Sequence, residues 1–77
     1  MGYIDIYDDK DTKKQMEVVS IFNFEGYDYH YIVYKELDGS RMYVAKYKDN
    51  QEELNTNLSK KELELCEAIM DGVFAWN

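Results

Sequence analysis

The residue types that chemistry draws on are sparse in this 77-residue chain: one histidine, His30; one cysteine, Cys66; an acidic run of Asp8, Asp9 and Asp11; and four glycines. A histidine acting as general base needs a partner and a cleft, and a metal site needs further ligands at close range. His30 lies between Tyr29 and Tyr31 with neither signature, and reads as a packed structural histidine. Cys66 would become a reactive thiolate beside a cation or a helix N-terminus. It falls instead on the apolar stripe of an expected helix and reads as core. The acidic run brings carboxylates together as a calcium loop does, but the central glycine and closing glutamate are missing, and Lys10, Lys13 and Lys14 neutralise it in place. Gly2, Gly26, Gly39 and Gly72 are isolated, so no phosphate-cradling loop is encoded. No catalytic residue, metal ligand or cofactor is expected, and the chain reads as non-enzymatic.

Aromatic residues make up 16% of the chain, with eight tyrosines, and they are the remaining candidates for a site. Phe22, Phe24, Tyr27, Tyr29 and Tyr31 are the expected partner-binding residues, because Tyr and Phe supply amphipathic anchors at interfaces. Aromatic platforms that stack nucleobases sit in basic grooves. Here sixteen acidic residues outnumber nine basic ones for a net charge of −7, which repels phosphate backbones and anionic membrane surfaces. Direct nucleic-acid binding and membrane binding are therefore not expected and no small-molecule substrate is evident, so a protein partner or a homo-oligomer is expected. The plain reading of the charge is solubility. The functional alternative is an acidic nucleic-acid-mimicking inhibitor, of the phage anti-restriction or anti-CRISPR kind, acting on a basic nucleic-acid-binding protein. Such a decoy arrays carboxylates on one face, whereas Lys and Arg interleave with Asp and Glu through most of this sequence.

These residues have to be positioned by a fold. Seventy-seven residues without proline, repeats or low-complexity runs give a single domain, 1–77, that buries only roughly 60% of its unfolded surface. Strands are expected at about 2–7, 16–24, 27–37 and 41–48, from period-two alternation and from β-branched and aromatic content. Glu25-Gly26 and Asp38-Gly39 are the interruptions expected to make two-residue hairpin turns. If both turns are that tight, Phe24 faces Tyr27, Phe22 faces Tyr29, Ile21 faces His30 and Val18 faces Val33 in the first hairpin. In the second, Tyr34 faces Tyr43 and Glu36 faces Arg41. The polar run 48–57 reads as a connection crossing back over the sheet. Ser59 and Glu62 form a Ser-x-x-Glu capping box with Leu58 and Leu63 as a staple, opening a helix at about 60–72 that ends at Gly72. Its apolar stripe is Leu63, Cys66, Met70, Val73 and Phe74, widened by Leu65 and Ile69, with Lys61, Glu64, Glu67 and Asp71 in water. The expected class is α+β: an antiparallel three- to four-stranded β-meander packed against one C-terminal α-helix. Both sheet faces carry an apolar centre, so one helix leaves a face to be covered by something else.

The lone cysteine excludes an internal disulfide and suits a reducing compartment. The N-terminal residues carry no basic-then-apolar export pattern, and Ile6 stands where a myristoylation signal wants Ser or Thr. A cytoplasmic location is expected. The stretch Val18-Val19-Ser20-Ile21-Phe22-Asn23-Phe24-Glu25-Gly26-Tyr27-Asp28-Tyr29 resembles the core pattern hydrophobic-x-Phe-x-hydrophobic-acidic-Gly-x-x-Tyr of a family of short acidic bacterial proteins, domain-of-unknown-function family 1292. The order of the flanking pieces is similar over nearly the whole chain. The resemblance implies a cytosolic protein of low-GC Gram-positive bacteria or their relatives; it supplies no activity and no catalytic residues.

Overall fold

A computed structural model describes residues 2–7, 10–39, 41–51 and 53–74, without the side chains of 71–74. The elements are β1 (Tyr3–Tyr7), β2 (Lys13–Asn23), β3 (His30–Glu36), β4 (Met42–Tyr47) and α1 (Lys60–Phe74). The strands form one antiparallel sheet in the order β1-β2-β3-β4, the α+β meander the sequence predicts. Asp8 and Asp9, which belong to the candidate cation loop, lie outside the described residues. Asp11 takes a positive φ of 58° in the β1–β2 turn, a conformation Asp tolerates better than most residues.

The second hairpin has the expected register, with Tyr34 opposite Tyr43 and His30 opposite Tyr47. The first hairpin does not. Gly26 does adopt a positive φ of 86°, but Glu25 does not, so the primed turn that needs both is excluded. A wider turn forms instead, closed by the Tyr27 N–H donating to the Phe24 carbonyl at 3.2 Å, and the ladder begins only at Asn23 and His30. The partners therefore shift: Phe22 pairs with Tyr31, Ile21 with Ile32 and Val18 with Tyr34. Between Val18 and Ser20 the register slips at Val19, a β-bulge. A bulged residue resets the in-out alternation, so Met16, Val18 and Ile21 all turn to the same side. Strict alternation would split them.

The bulge decides how the sheet's two faces are filled. On one face Met16, Val18, Ile32, Tyr34 and Ala45 form a buried cluster, with Ile4 and Ile6 of β1 and Leu54 of the connection packed against it. The connection is thus more than a polar crossing: Asn55 exchanges backbone hydrogen bonds with Lys46 at 2.9 and 2.8 Å, extending β4 by one short antiparallel bridge. This face is covered by the sheet's own outer elements. The helix takes the other face, where Tyr31, Val33, Val44 and Lys46 point.

The helix starts as predicted. The Glu62 N–H donates to Ser59 Oγ at 3.1 Å and the Ser59 N–H donates to Glu62 Oε1 at 2.9 Å, the reciprocal bonds of a capping box. It runs on past Gly72 to Phe74, so Gly72 does not end it. Its buried line is Glu62, Cys66 and Met70, while Leu63 is 43% exposed and lies outside the stripe assigned to it. Lys61, Glu64 and Glu67 face water as expected; Asp71, Val73 and Phe74 side chains lie outside the described residues, as does Trp76.

Candidate functional site

Four of the five aromatic residues at the β2–β3 end, Phe22, Phe24, Tyr27 and Tyr31, come together on the helix side of the sheet. Phe22 reaches this face because the bulge places it there, and the wide turn lets Phe24 and Tyr27 fold inward rather than pair across a ladder. Phe24 sits edge-on to Phe22 at 5.4 Å between centroids and to Tyr27 at 6.1 Å. All three surround Tyr31, whose ring stacks on Phe22 at 6.3 Å and lies 5.2 Å from Phe24 and 6.4 Å from Tyr27. Edge-to-face and offset contacts of this kind add to simple burial. Tyr29 stands apart under two ammonium groups, Lys46 at 4.5 Å and Lys48 at 5.0 Å from its centroid. Phe22, Phe24, Tyr27 and Tyr29 are half-buried and present ring surface; Tyr31 is fully buried. Of the five residues expected to meet a partner, Tyr31 therefore serves as the support for the others.

Beneath the rings lies a buried carboxylate that the sequence reading treated only as a cap. Glu62 accepts from the Tyr31 hydroxyl at 2.5 Å and from Lys46 Nζ at 3.0 and 3.1 Å, besides its capping bond to Ser59. The backbone N–H of Ser59, the Tyr31 hydroxyl and Lys46 together hold the Glu62 carboxyl down to about 2, against burial, which opposes them. Burial, and then the neighbouring Glu62 carboxylate, push the Tyr31 hydroxyl up. One acid thus joins the helix N-terminus, β3 and β4. The signal in the sequence was the capping glutamate at position 62, four residues before Cys66 on the buried stripe.

The remaining chemical candidates are accounted for by packing. His30 Nε2 lies 2.5 Å from Asp49 Oδ1 and Nδ1 lies 2.6 Å from the Asn23 side-chain amide, whose N–H also reaches the Tyr29 carbonyl at 3.3 Å. With the amide donating to Nδ1, the ring donates from Nε2 to Asp49. Its ring neighbour is Tyr47, while across the first hairpin it lies opposite Asn23 and not Ile21, which pairs with Ile32. Both ring nitrogens are engaged, one with Asn23 at the β2–β3 turn and one with Asp49 just after β4. Cys66 is buried, and that burial, with Glu62 and Glu67 nearby, pushes its thiol up to about 11. It is a thiol at neutral pH. Among the described residues no three His, Cys, Asp or Glu side chains converge as metal ligands do, and no helix is long and apolar enough to cross a membrane.

Charge on the surface is interleaved. Lysines face carboxylates at Lys14–Glu36 (3.1 Å), Lys35–Glu17 (3.5 Å) and, loosely, Lys13–Asp5 (3.9 Å). Glu36 takes Lys14 and the Tyr43 hydroxyl as partners, and Arg41, expected opposite it, lies over the Tyr43 ring at 5.7 Å. Compared with known proteins, the chain matches no family model, no curated protein and no solved structure.

Proposed function

We propose that this protein is a small non-enzymatic interaction or regulatory module of the bacterial cytoplasm that docks a protein partner, or a second copy of itself, on its tyrosine-rich sheet face. The observation that carries this reading is the ring cluster. Phe22, Phe24 and Tyr27 are held rigidly around Tyr31, which is itself fixed by Glu62, yet all three stay half-exposed at the sheet end. Preorganised aromatic surface of this type is what interface hot spots are made of. The resemblance to domain-of-unknown-function family 1292 fits a cytosolic bacterial setting and adds no activity. The nucleic-acid-mimic alternative calls for ranks of unpaired carboxylates, and the pairing of Asp5, Glu17, Glu36 and Glu62 with lysines argues against it.

The test is affinity capture from a host extract with the tagged protein and with a Phe24→Ser, Tyr27→Ser variant, after circular dichroism has shown that the variant is folded. Proteins retained by the natural chain and lost from the variant support the proposal. An identical set on both would refute the ring cluster as the docking surface.

A further inference from the structure

On the face opposite the rings, the two outer elements of the sheet approach one another without pairing. Ile4, Asp5 and Ile6 of β1 line the same two hollows as Leu54 and its neighbours, about 430 Å³ in the hollow shared with Gln51 and about 380 Å³ in the one shared with Glu53 and Thr56. Ile32 and Tyr34 of the buried cluster form their floors. Among the described residues nothing pairs with the outer edge of β1. That edge carries neither proline nor bulge, and its one charged side chain is the acidic Asp5.

Direction explains why the seam stays open and what would close it. Each strand is antiparallel to the next, and Asn55 bridges β4 antiparallel, so β1 and segment 53–56 run the same way. A strand placed between them is antiparallel to both and continues the ladder on either side. Its side chains alternate. Those pointing inward meet Ile32 and Tyr34; those pointing outward lie between Asp5 and Glu53, both exposed and both on the outer side of their strands by register. Asp5 makes a loose contact with Lys13, at 3.9 Å.

We infer that this seam accepts an extended segment of a partner protein, about five residues long, with apolar side chains alternating with lysine or arginine. Five residues match the length of β1, and the alternation matches the apolar floor and acidic rim. A second copy of the chain is disfavoured as the occupant, because each copy carries a net charge of −7 and its own β1 would set Asp5 against the same acidic rim.

The experiment is titration of the full ¹⁵N-labelled chain at low salt with the capped peptide acetyl-Lys-Val-Lys-Val-Lys-Val-amide and two controls, its Glu-Val analogue and a version N-methylated at alternate amides. Shifts in β1, in 53–56 and at the floor residues Ile32 and Tyr34, binding about tenfold weaker for the Glu-Val peptide and loss of binding on N-methylation are expected. Asp5→Lys with Glu53→Lys, both at exposed positions, should reverse the preference between the charged peptides. The inference is overturned by no shifts at millimolar peptide, by N-methylation without effect, or by an unchanged preference in the double variant. Shifts at Phe22 to Tyr29 instead would overturn the seam and leave the ring-cluster proposal standing. Light scattering that shows a dimer with β1 amides protected would replace the partner strand by a second copy and overturn it too.

Discussion

Replacing Glu62 by glutamine keeps the shape of the side chain and one capping acceptor but removes the charge that Tyr31, Lys46 and Ser59 converge on. A carboxyl held at about 2 that would titrate at 4.5 in the unfolded chain contributes up to about 3 kcal/mol at neutral pH. Lys46 stays 13% exposed, so water screens part of the pair, and the expected loss in E62Q is about 2 kcal/mol. In a domain of this size that lowers Tm by roughly 10 °C. The sign with pH follows from the depressed value. The contribution is complete above pH 4.5 and is lost as pH falls toward 2, so natural and variant proteins converge over that window. Urea unfolding followed by circular dichroism at pH 7, 4 and 2.5 measures it: the difference should be about 2 kcal/mol at pH 7 and less than half of that at pH 2.5. Tyr31→Phe removes one donor and should move the convergence to higher pH. A difference under 0.5 kcal/mol at pH 7, or one that does not change by pH 2.5, would refute the role given to Glu62.

Three further outcomes are expected. Ser59→Ala removes the acceptor for the Glu62 N–H and should cost about 1 kcal/mol in urea unfolding; a cost near zero would mean the cap does not hold the helix start. Cys66, buried and with its thiol pushed up to about 11, should react with a thiol reagent at pH 8 only as fast as the protein opens; labelling within seconds without denaturant would place it at the surface. Deleting Val19 leaves Val18 opposite Tyr34 and Ser20 opposite Val33, so the variant should fold with the same β2–β3 partners but lose the local twist a bulge adds. Nuclear Overhauser contacts from Ile4 and Ile6 to the buried cluster of Met16, Val18 and Tyr34 should weaken; unchanged contacts would show that the curvature has another source.

What the sequence determined was local. The β3–β4 register is the one a two-residue Asp38-Gly39 loop predicts, although neither residue takes a positive φ and the turn is closed by the Gly39 N–H donating to the Glu36 carbonyl at 3.3 Å; Ser59 with Glu62 set the helix start because both capping bonds span three residues. The alternation of β1 and the apolar content of β2 to β4 gave the meander. The tertiary structure decided the rest, since it turned on competition between distant groups. The rings of Phe24 and Tyr27 gain more by packing on Tyr31 than by pairing, which widens the first turn although Gly26 still takes its positive φ. The Val19 bulge exists because Met16, Val18 and Ile21 must share a face that Ile4, Ile6 and Leu54 close. Periodicity cannot show that, because it assumes an unbroken strand. The face left uncovered by one helix is thus largely closed by the sheet's own edges, and what stays open is the seam between them. Glu62 was visible as a cap, but its burial beneath Tyr31 depended on β3 and β4 arriving beside the helix, which no local pattern encodes.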